Sequence, residues 1–448
     1  MTNVHGYAAL LQPADGHFPD YRGGELDIPT FIEVFKGAMH NVSLALPGRT
    51  TLLSQSALAL LTRHHQLLVS RAGTGKSFYG DSLFGQFQAT IFKAQFTQGT
   101  RLETVLGGLD LHLFHEGKLW HNTRHSLITA EFAYLDEFMN ASDVVLEALL
   151  GILNERHFSQ GEQQEDAKLH SALAMTNHVK YTMIAEPILD RFMFKASIEP
   201  YSDPLNDLLI DFSYESHHGR ATPAAHAIPI EYLQRATDAV RGFDLDVHIH
   251  ASNAMLFLKN YLIDNYVETL TRHNQAAAMP RSGPTGQPVA EAYVSPRTKA
   301  ASRDTLNASA LLHHRKEVIA EDLAALRFVL TTIDGNDAAP QRATDRLFAE
   351  SMQTTLNTFS SDDLQTVEEL SAIAQNFQLF VHGLPIEAQA ENSGVIRFFL
   401  NLIGRTSWHD VNYGTFNQAL TGKRIPNPRV NALREEILQS VKAFSHEQ

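Results

Sequence analysis

The stretch Ser70–Ser77 reads SRAGTGKS, with the apolar run HQLLV (65–69) before it and FYGDSLF (78–84) after it. A glycine-spaced turn between an apolar strand and a helical stretch is the setting a phosphate-binding loop needs. Gly73 and Gly75 let backbone N–H groups turn toward phosphate oxygens with no Cβ in the way, Lys76 supplies a cation, and Ser77 offers a hydroxyl to Mg²⁺. Ala72, Gly73, Thr74, Gly75, Lys76 and Ser77 are therefore the expected nucleotide-binding residues, with ATP and Mg²⁺ as ligands. One position departs from the pattern G-x-x-x-x-G-K-S/T: Ser70 stands where glycine is usual, and a restricted loop or reduced affinity is the expectation there.

Around this loop, short apolar runs alternate with helix-like stretches, as in a parallel sheet with crossover helices. The predicted strands are His65–Ser70, Thr90–Thr97, Phe132–Asp136, Ser171–Asn177 and Phe192–Ile198, a parallel five-stranded sheet. Val144, Val145, Ala148, Leu149, Ile152 and Leu153 fall at helical spacing, and they predict a helix over 143–153 packed on that sheet. Residues 202–223, with Pro204, His217, His218, Gly219 and Pro223, read as a connection. A helical region begins near Ile228, and MPRSGPTGQPVA (279–290) reads as an exposed loop. Ser295 and Pro296 then start a further helix as N-cap and first-turn proline, running to about His314. Beyond Ala339 apolar residues recur at helical spacing without a recognisable catalytic pattern. The expected organisation is an α/β nucleotide-binding domain over 1–200, a connection and helical lid over 201–338, and a helical extension over 339–448.

Three further segments carry chemistry. FAYLDEF (132–138) ends an apolar strand on two carboxylates, the form of a Walker B motif: Asp136 is assigned to Mg²⁺ and Glu137 to the attacking water. ALAMTN (172–177) ends on Asn177, whose amide is placed to orient that water or to bind the γ-phosphate. EPILDRFMF (186–194) puts Arg191 at a subunit edge, suited either to reach a neighbour's γ-phosphate or to pair with Asp190. In YVSPRTKA (293–300), Arg297 lies in the first turn of its helix, where the helix dipole opposes a cation by about 0.3–1 kcal/mol. A residue set against local electrostatics points to an anionic partner.

Composition narrows the field. The 448 residues exceed one ordinary domain, and 44% hydrophobic content suffices for a buried core. There are 36 basic and 50 acidic residues, a formal net charge of −14, the wrong sign for affinity by phosphate-backbone neutralisation, so nucleic acid is an unlikely partner. The absence of cysteine excludes disulfides, thiolate metal sites and cysteine nucleophiles. No apolar run reaches the roughly 18–20 residues of a membrane span, and MTNVHGYAALLQPADG lacks the build of a signal peptide; a soluble cytoplasmic protein is the expectation. The 23 histidines, including His248 and His250, lack metal-ligand grouping and read as scattered surface or half-buried residues. No G-x-S-x-G elbow is present.

The order Walker A, Walker B, Asn177, LDRF and SPR resembles that of AAA+ ATPases, and within them the MoxR branch and its RavA-like group. LDEFMNASDVVLEALLGILNERHFSQG (135–161) is similar to that branch's Walker B strand, helix, N-E-R turn and hairpin. GGLDLHLFHEGKLWHN (107–122) looks like its pore-lining helix-2 insertion, and 293–323 like its sensor 2 helix. The resemblance implies an AAA+ α/β wedge with a helical lid and nucleotide at the junction of subunits in a hexameric ring. It further implies chaperone-like work on a protein client, often with a von Willebrand factor A domain protein. By position it makes Asn177 sensor 1, Arg191 the arginine finger and Arg297 sensor 2. A nucleotide-gated scaffold with little hydrolysis and a nucleic-acid translocase are the alternatives.

Overall fold

The computed structural model describes residues 10–160, 162–178, 185–198, 204–217, 224, 226–244, 246–278, 293–335, 342–382, 394–405, 411–422 and 424–447. Two compact units result: Met1–His250 with Tyr266–Ala349, and Ala251–Asn265 with Glu350–Gln448. The loop expected over 279–290 lies outside the described residues.

In chain order the strands are β1 (Gln66–Ser70), β2 (Phe87–Gln88), β3 (Ile91–Gln95), β4 (Phe132–Asp136), β5 (His157–Gln160), β6 (Gln163–Asp166), β7 (Ser171–Thr176), β8 (Phe194–Ile198), β9 (Ile228–Pro229) and β10 (Ile333–Asp334). The helices of the first half are α1 (Ile28–Ala45), α2 (Thr50–Leu61), α3 (Lys76–Phe84), α4 (Leu102–Leu106), α5 (Leu111–His115), α6 (Asp143–Glu155), α7 (Ala185–Leu189), α8 (Pro204–His217) and α9 (Ile230–Arg241). They are followed by α10 (Asn253–Ala278), α11 (Pro296–Leu312), α12 (Arg327–Leu330), α13 (Ala343–Thr358), α14 (Ser361–Val381), α15 (Gly394–Leu402), α16 (Tyr413–Thr421) and α17 (Pro428–Glu447).

The main sheet is wholly parallel, in the order β10-β8-β1-β7-β4-β3. Five of its strands are those expected. The sixth, β10, is two residues long and follows α11 and α12, too short to leave a periodic trace in sequence. Every residue of β7 is buried, which a strand needs when helices cover both faces. The helix predicted from Val144 onward is α6, and its core face is Val145, Leu146, Leu149, Ile152 and Leu153; Val144 itself points to solvent. Ser295 caps α11 by accepting from the Thr298 N–H, with Pro296 in the first turn, as expected.

Within 202–223 the expected connection is instead helical over Pro204–His217. Leu205, Leu208, Leu209 and Phe212 recur at the spacing of one helical face, yet all four are exposed, so this helix buries little of its apolar stripe. The histidines also depart from expectation. His65 and His170 are buried under the N-terminal ends of β1 and β7, where each ring donates Nε2–H to a carbonyl, Leu153 and Leu60 respectively.

The second unit is helical, with α14 packed against α15, α16 and α17. Phe377, Phe380, Phe399, Phe416 and Phe444 interlock by edge and stacked contacts, and Glu368 caps the start of α10 by accepting from the Ala254 N–H and the Asn253 amide. Among the described residues no helix is long and apolar enough to cross a membrane.

Candidate nucleotide site

The loop after β1 is shaped by its two glycines. Gly73 has φ 83° and Gly75 φ 79°, left-handed conformations that other residues adopt at a cost. Ser70 is different. It belongs to β1 and is absent from the residues with positive φ, so nothing in its backbone calls for glycine. Its hydroxyl lies 2.8 Å from that of Thr74, which in turn donates to the Arg71 carbonyl at 3.0 Å; the serine ties the two ends of the loop together. The restriction expected at Ser70 is therefore not imposed by the fold.

At the C-terminal edge of the sheet, adjacent strands β1, β7 and β4 deliver three of the predicted side chains to one place. Lys76, buried at the start of α3, donates from Nζ to Asn177 Oδ1 at 2.6 Å and to the Ser70 carbonyl at 3.2 Å. Asn177 Nδ2 donates to Glu137 Oε1 at 2.5 Å. The amide is thus oriented unambiguously, with its oxygen on the ammonium and its nitrogen on the carboxylate. Glu137 sits in the left-handed region, φ 51°, a strained setting for a non-glycine residue, and its N–H donates to Asp136 Oδ1 at 2.9 Å. Its second oxygen, Oε2, accepts from Asn140 Nδ2 at 3.0 Å. Sequence reading passed over Asn140, because a lone asparagine ahead of a helix resembles a capping residue.

For a magnesium nucleotide these residues form a fitting set. The loop presents N–H groups and a lysine whose present partners are a neutral carbonyl and an amide, weaker acceptors than phosphate oxygen. Ser77 and Asp136 provide oxygen ligands of the kind Mg²⁺ takes alongside phosphates and water. The Tyr134 phenol, beside Ser77, is pushed up to about 12, chiefly by burial, and remains a neutral hydroxyl there.

The two arginines lie elsewhere. β8 is paired with β1 so that Phe194 is level with Gln66 and Ile198 with Ser70. The phosphate loop leaves β1 beyond Ser70, while Arg191 precedes Phe194. The length of the strands, roughly 13 Å at about 3.3 Å per residue, separates the two ends. Arg191 Nη1 lies 3.3 Å from Asp190 Oδ2, and Arg297 Nη1, brought in by α11, lies 4.0 Å from that same oxygen. The fold thus gathers Arg191 and Arg297 around Asp190 and keeps both from the Lys76 cluster of the same chain. Burial, then the charge of Arg297, lowers the pKa of Arg191, with Asp190 and Glu155 acting in the opposite sense; among the described residues its buried Nε has no hydrogen-bond partner.

Between β3 and β4 the segment 107–122 closes on itself through a Leu109–His121 bridge. Gly107 is required there, because a Cβ would meet the Asn122 carbonyl oxygen at 2.0 Å. Leu111 at 70% and Phe114 at 53% stand exposed on α5.

Comparison with known proteins agrees with this build. Residues 33–235 match the family model described as the MoxR domain in the MoxR-vWA-beta-propeller ternary systems. Chaperone MoxR1 of Mycobacterium tuberculosis is 24% identical over 210 residues, 44% of this chain and 55% of that one. The uncharacterized protein MJ0079 of Methanocaldococcus jannaschii is 24% identical over 272 residues, 60% of this chain and 63% of its own. The chain thus spans less than two thirds of the length of either relative. A solved structure of a candidate ATPase from Cytophaga hutchinsonii superposes with a TM-score of 0.52 at 17% identity, over 74% of this chain and 96% of that one, a likeness of fold.

Proposed function

The chain belongs to the MoxR family of AAA+ ATPases through its domain at residues 33–235, and from that premise we propose that it hydrolyses ATP in a ring, a homohexamer, to remodel a protein client. The observation that carries the reading is the unbroken path Lys76–Asn177–Glu137 beside the glycine-shaped loop. A triphosphate held by the loop amides draws Lys76 from Asn177, and Asn177 is then free to turn from Glu137 to the attacking water or the γ-phosphate. Glu137 takes the proton of that water. Mg²⁺, held by Ser77 and Asp136, would shield the charge of the β- and γ-phosphates. Arg191 and Arg297 act on the nucleotide of a neighbouring copy, since they lie at the far end of the strands from their own loop.

The partner reading follows the matched family, whose description places a MoxR domain with a von Willebrand factor A protein. Exposed Leu111 and Phe114 on the 107–122 segment are suited to grip an apolar stretch of client. The scaffold alternative drew on Ser70; its ordinary strand backbone and its bond to Thr74 favour the hydrolytic reading. Replacing Glu137 by Gln tests the core of the proposal. The variant retains ATP in a filter-binding assay and loses turnover by about 10²-fold or more, as expected on removing a general base; turnover at the parent rate removes Glu137 from the mechanism.

A further inference from the structure

The reading of Glu137 as the base leaves one of its bonds unexplained. A carboxylate has two oxygens, and here an amide engages each: Asn177 on Oε1 and Asn140 on Oε2. These two partners differ in what else they touch. Asn177 is coupled to the loop, because its Oδ1 accepts from Lys76, and any anion that recruits the ammonium disturbs it. Asn140 is carried by the backbone that follows Glu137. It closes the short 3-10 turn Phe138–Asn140, its N–H donates to the Glu137 carbonyl at 2.8 Å, and the intervening Phe138 and Met139 are buried in the core. One clamp on the carboxylate is thus linked to the loop lysine, and the other is anchored in the turn that follows Glu137 itself.

We propose that Asn140 is a positioning residue for ATP hydrolysis, which holds Glu137 Oε2 so that Oε1 alone is released to the attacking water. The inference rests on the hydrolytic reading of Glu137. Glu137 starts from a left-handed backbone, and a free carboxylate there would rotate about its side-chain torsions once Asn177 let go. With Oε2 held, the syn lone pair of Oε1 keeps its aim. The chemical step is then balanced. An O–H bond of water breaks and the proton passes to Glu137 Oε1; the water oxygen bonds to the γ-phosphorus while the bond from that phosphorus to the β–γ bridging oxygen breaks. ADP and inorganic phosphate result, and the proton leaves to solvent with the phosphate. A donor is needed at position 140 throughout, and an acceptor there would repel the carboxylate.

The test uses the full-length assembled protein and three variants. Asn140→Ala lowers kcat about 10-fold, the size of one hydrogen bond to a charged group, with KM for ATP within about twofold of the parent. Asn140→Asp, of the same shape but with no donor, lowers kcat further, by about 10²-fold. Asn140→Gln, which restores an amide, recovers most of the loss. Parent-like kcat in the alanine variant overturns the proposal, and so does a loss of rate that follows melting temperature across the three variants without rescue by Gln. A parent that turns over and is silenced by Glu137→Gln, yet is indifferent to Asn140, sinks this inference alone; a parent without turnover sinks the hydrolytic reading and takes this one with it.

Discussion

The two ends of the parallel sheet are built on opposite principles. At the C-terminal end of β1, β4 and β7, three of the polar groups assigned to chemistry are partnered within their own chain: Lys76 on Asn177, Asn177 on Glu137, Glu137 on Asn140. At the other end two guanidinium groups share one carboxylate oxygen of Asp190, and the buried Arg191 Nε has no hydrogen-bond partner among the described residues. A satisfied cluster can wait for substrate unaided. An arginine pair with a buried donor left over is half of something, and the proposed other half is the triphosphate of a neighbouring copy. Each chain would then contribute the loop of one site and the arginines of the next, so that activity belongs to the assembly.

The largest effect should come from breaking that division of labour. Replacing Arg191 by Ala should cut turnover by about 10³-fold, the loss that removing an arginine finger brings, and Arg297→Ala should act on that same step with a smaller loss. Mixing Arg191→Ala subunits with Glu137→Gln subunits should restore part of the activity, because some junctions then combine an intact loop with an intact arginine. Mixtures no more active than the average of their components would show that the arginines serve their own chain, against their position in the fold.

An intermediate effect separates the ends by acid. His65 and His170 lie under the strand starts, at the arginine end. His65 uses both ring nitrogens, Nε2 toward the Leu153 carbonyl and Nδ1 as acceptor from the Ala172 N–H, so only the neutral ring fits. Burial lowers its pKa well below the ordinary histidine value, and lowers that of His170 to about 3. A folded-state pKa below the unfolded one means that the unfolded chain binds the proton first. Stability is therefore full above about pH 6.5 and declines as pH falls from there toward the folded values, at up to about 1.4 kcal/mol per pH unit for each histidine. Urea midpoints measured between pH 7 and 5 should show this slope, and His170→Gln, which keeps a donor for the Leu60 carbonyl, should flatten it. A slope unchanged by that substitution would assign the acid sensitivity to other groups.

Much of this was legible in the sequence, and the reasons differ by region. The five core strands and α6 carry hydrophobic periods long enough to read, and the Walker residues carry chemistry that restricts residue type. α8 was missed because Pro204 and the polar residues around it read as a turn, while its apolar stripe packs on little of the protein. β10 is too short for any period. The grouping of Arg191 with Arg297 is a matter of register, since α11 returns to the sheet more than a hundred residues after Arg191, and no local pattern encodes that return. Asn140 escaped for the opposite reason: it lies within the motif already read, in the role of an unremarkable turn residue.

Ser70 gives the smallest effect and the sharpest test of the self-contained end. From the motif alone, serine in place of glycine should weaken nucleotide binding; from the structure it should help, because its backbone is that of an ordinary strand residue and its hydroxyl closes the loop on Thr74 at 2.8 Å. One neutral hydrogen bond contributes about 1 kcal/mol, a factor of about five in affinity, and partial exposure of Thr74 reduces that. Ser70→Ala should therefore weaken ATP binding by about fivefold or less, and Ser70→Gly by slightly more, since glycine also frees the chain before the loop forms. Titration with a fluorescent ATP analogue resolves differences of this size. Tighter binding in the glycine variant would mean that the serine hinders the loop, and that the C-terminal end of the sheet is not as fully adapted to its ligand as its internal hydrogen bonds indicate.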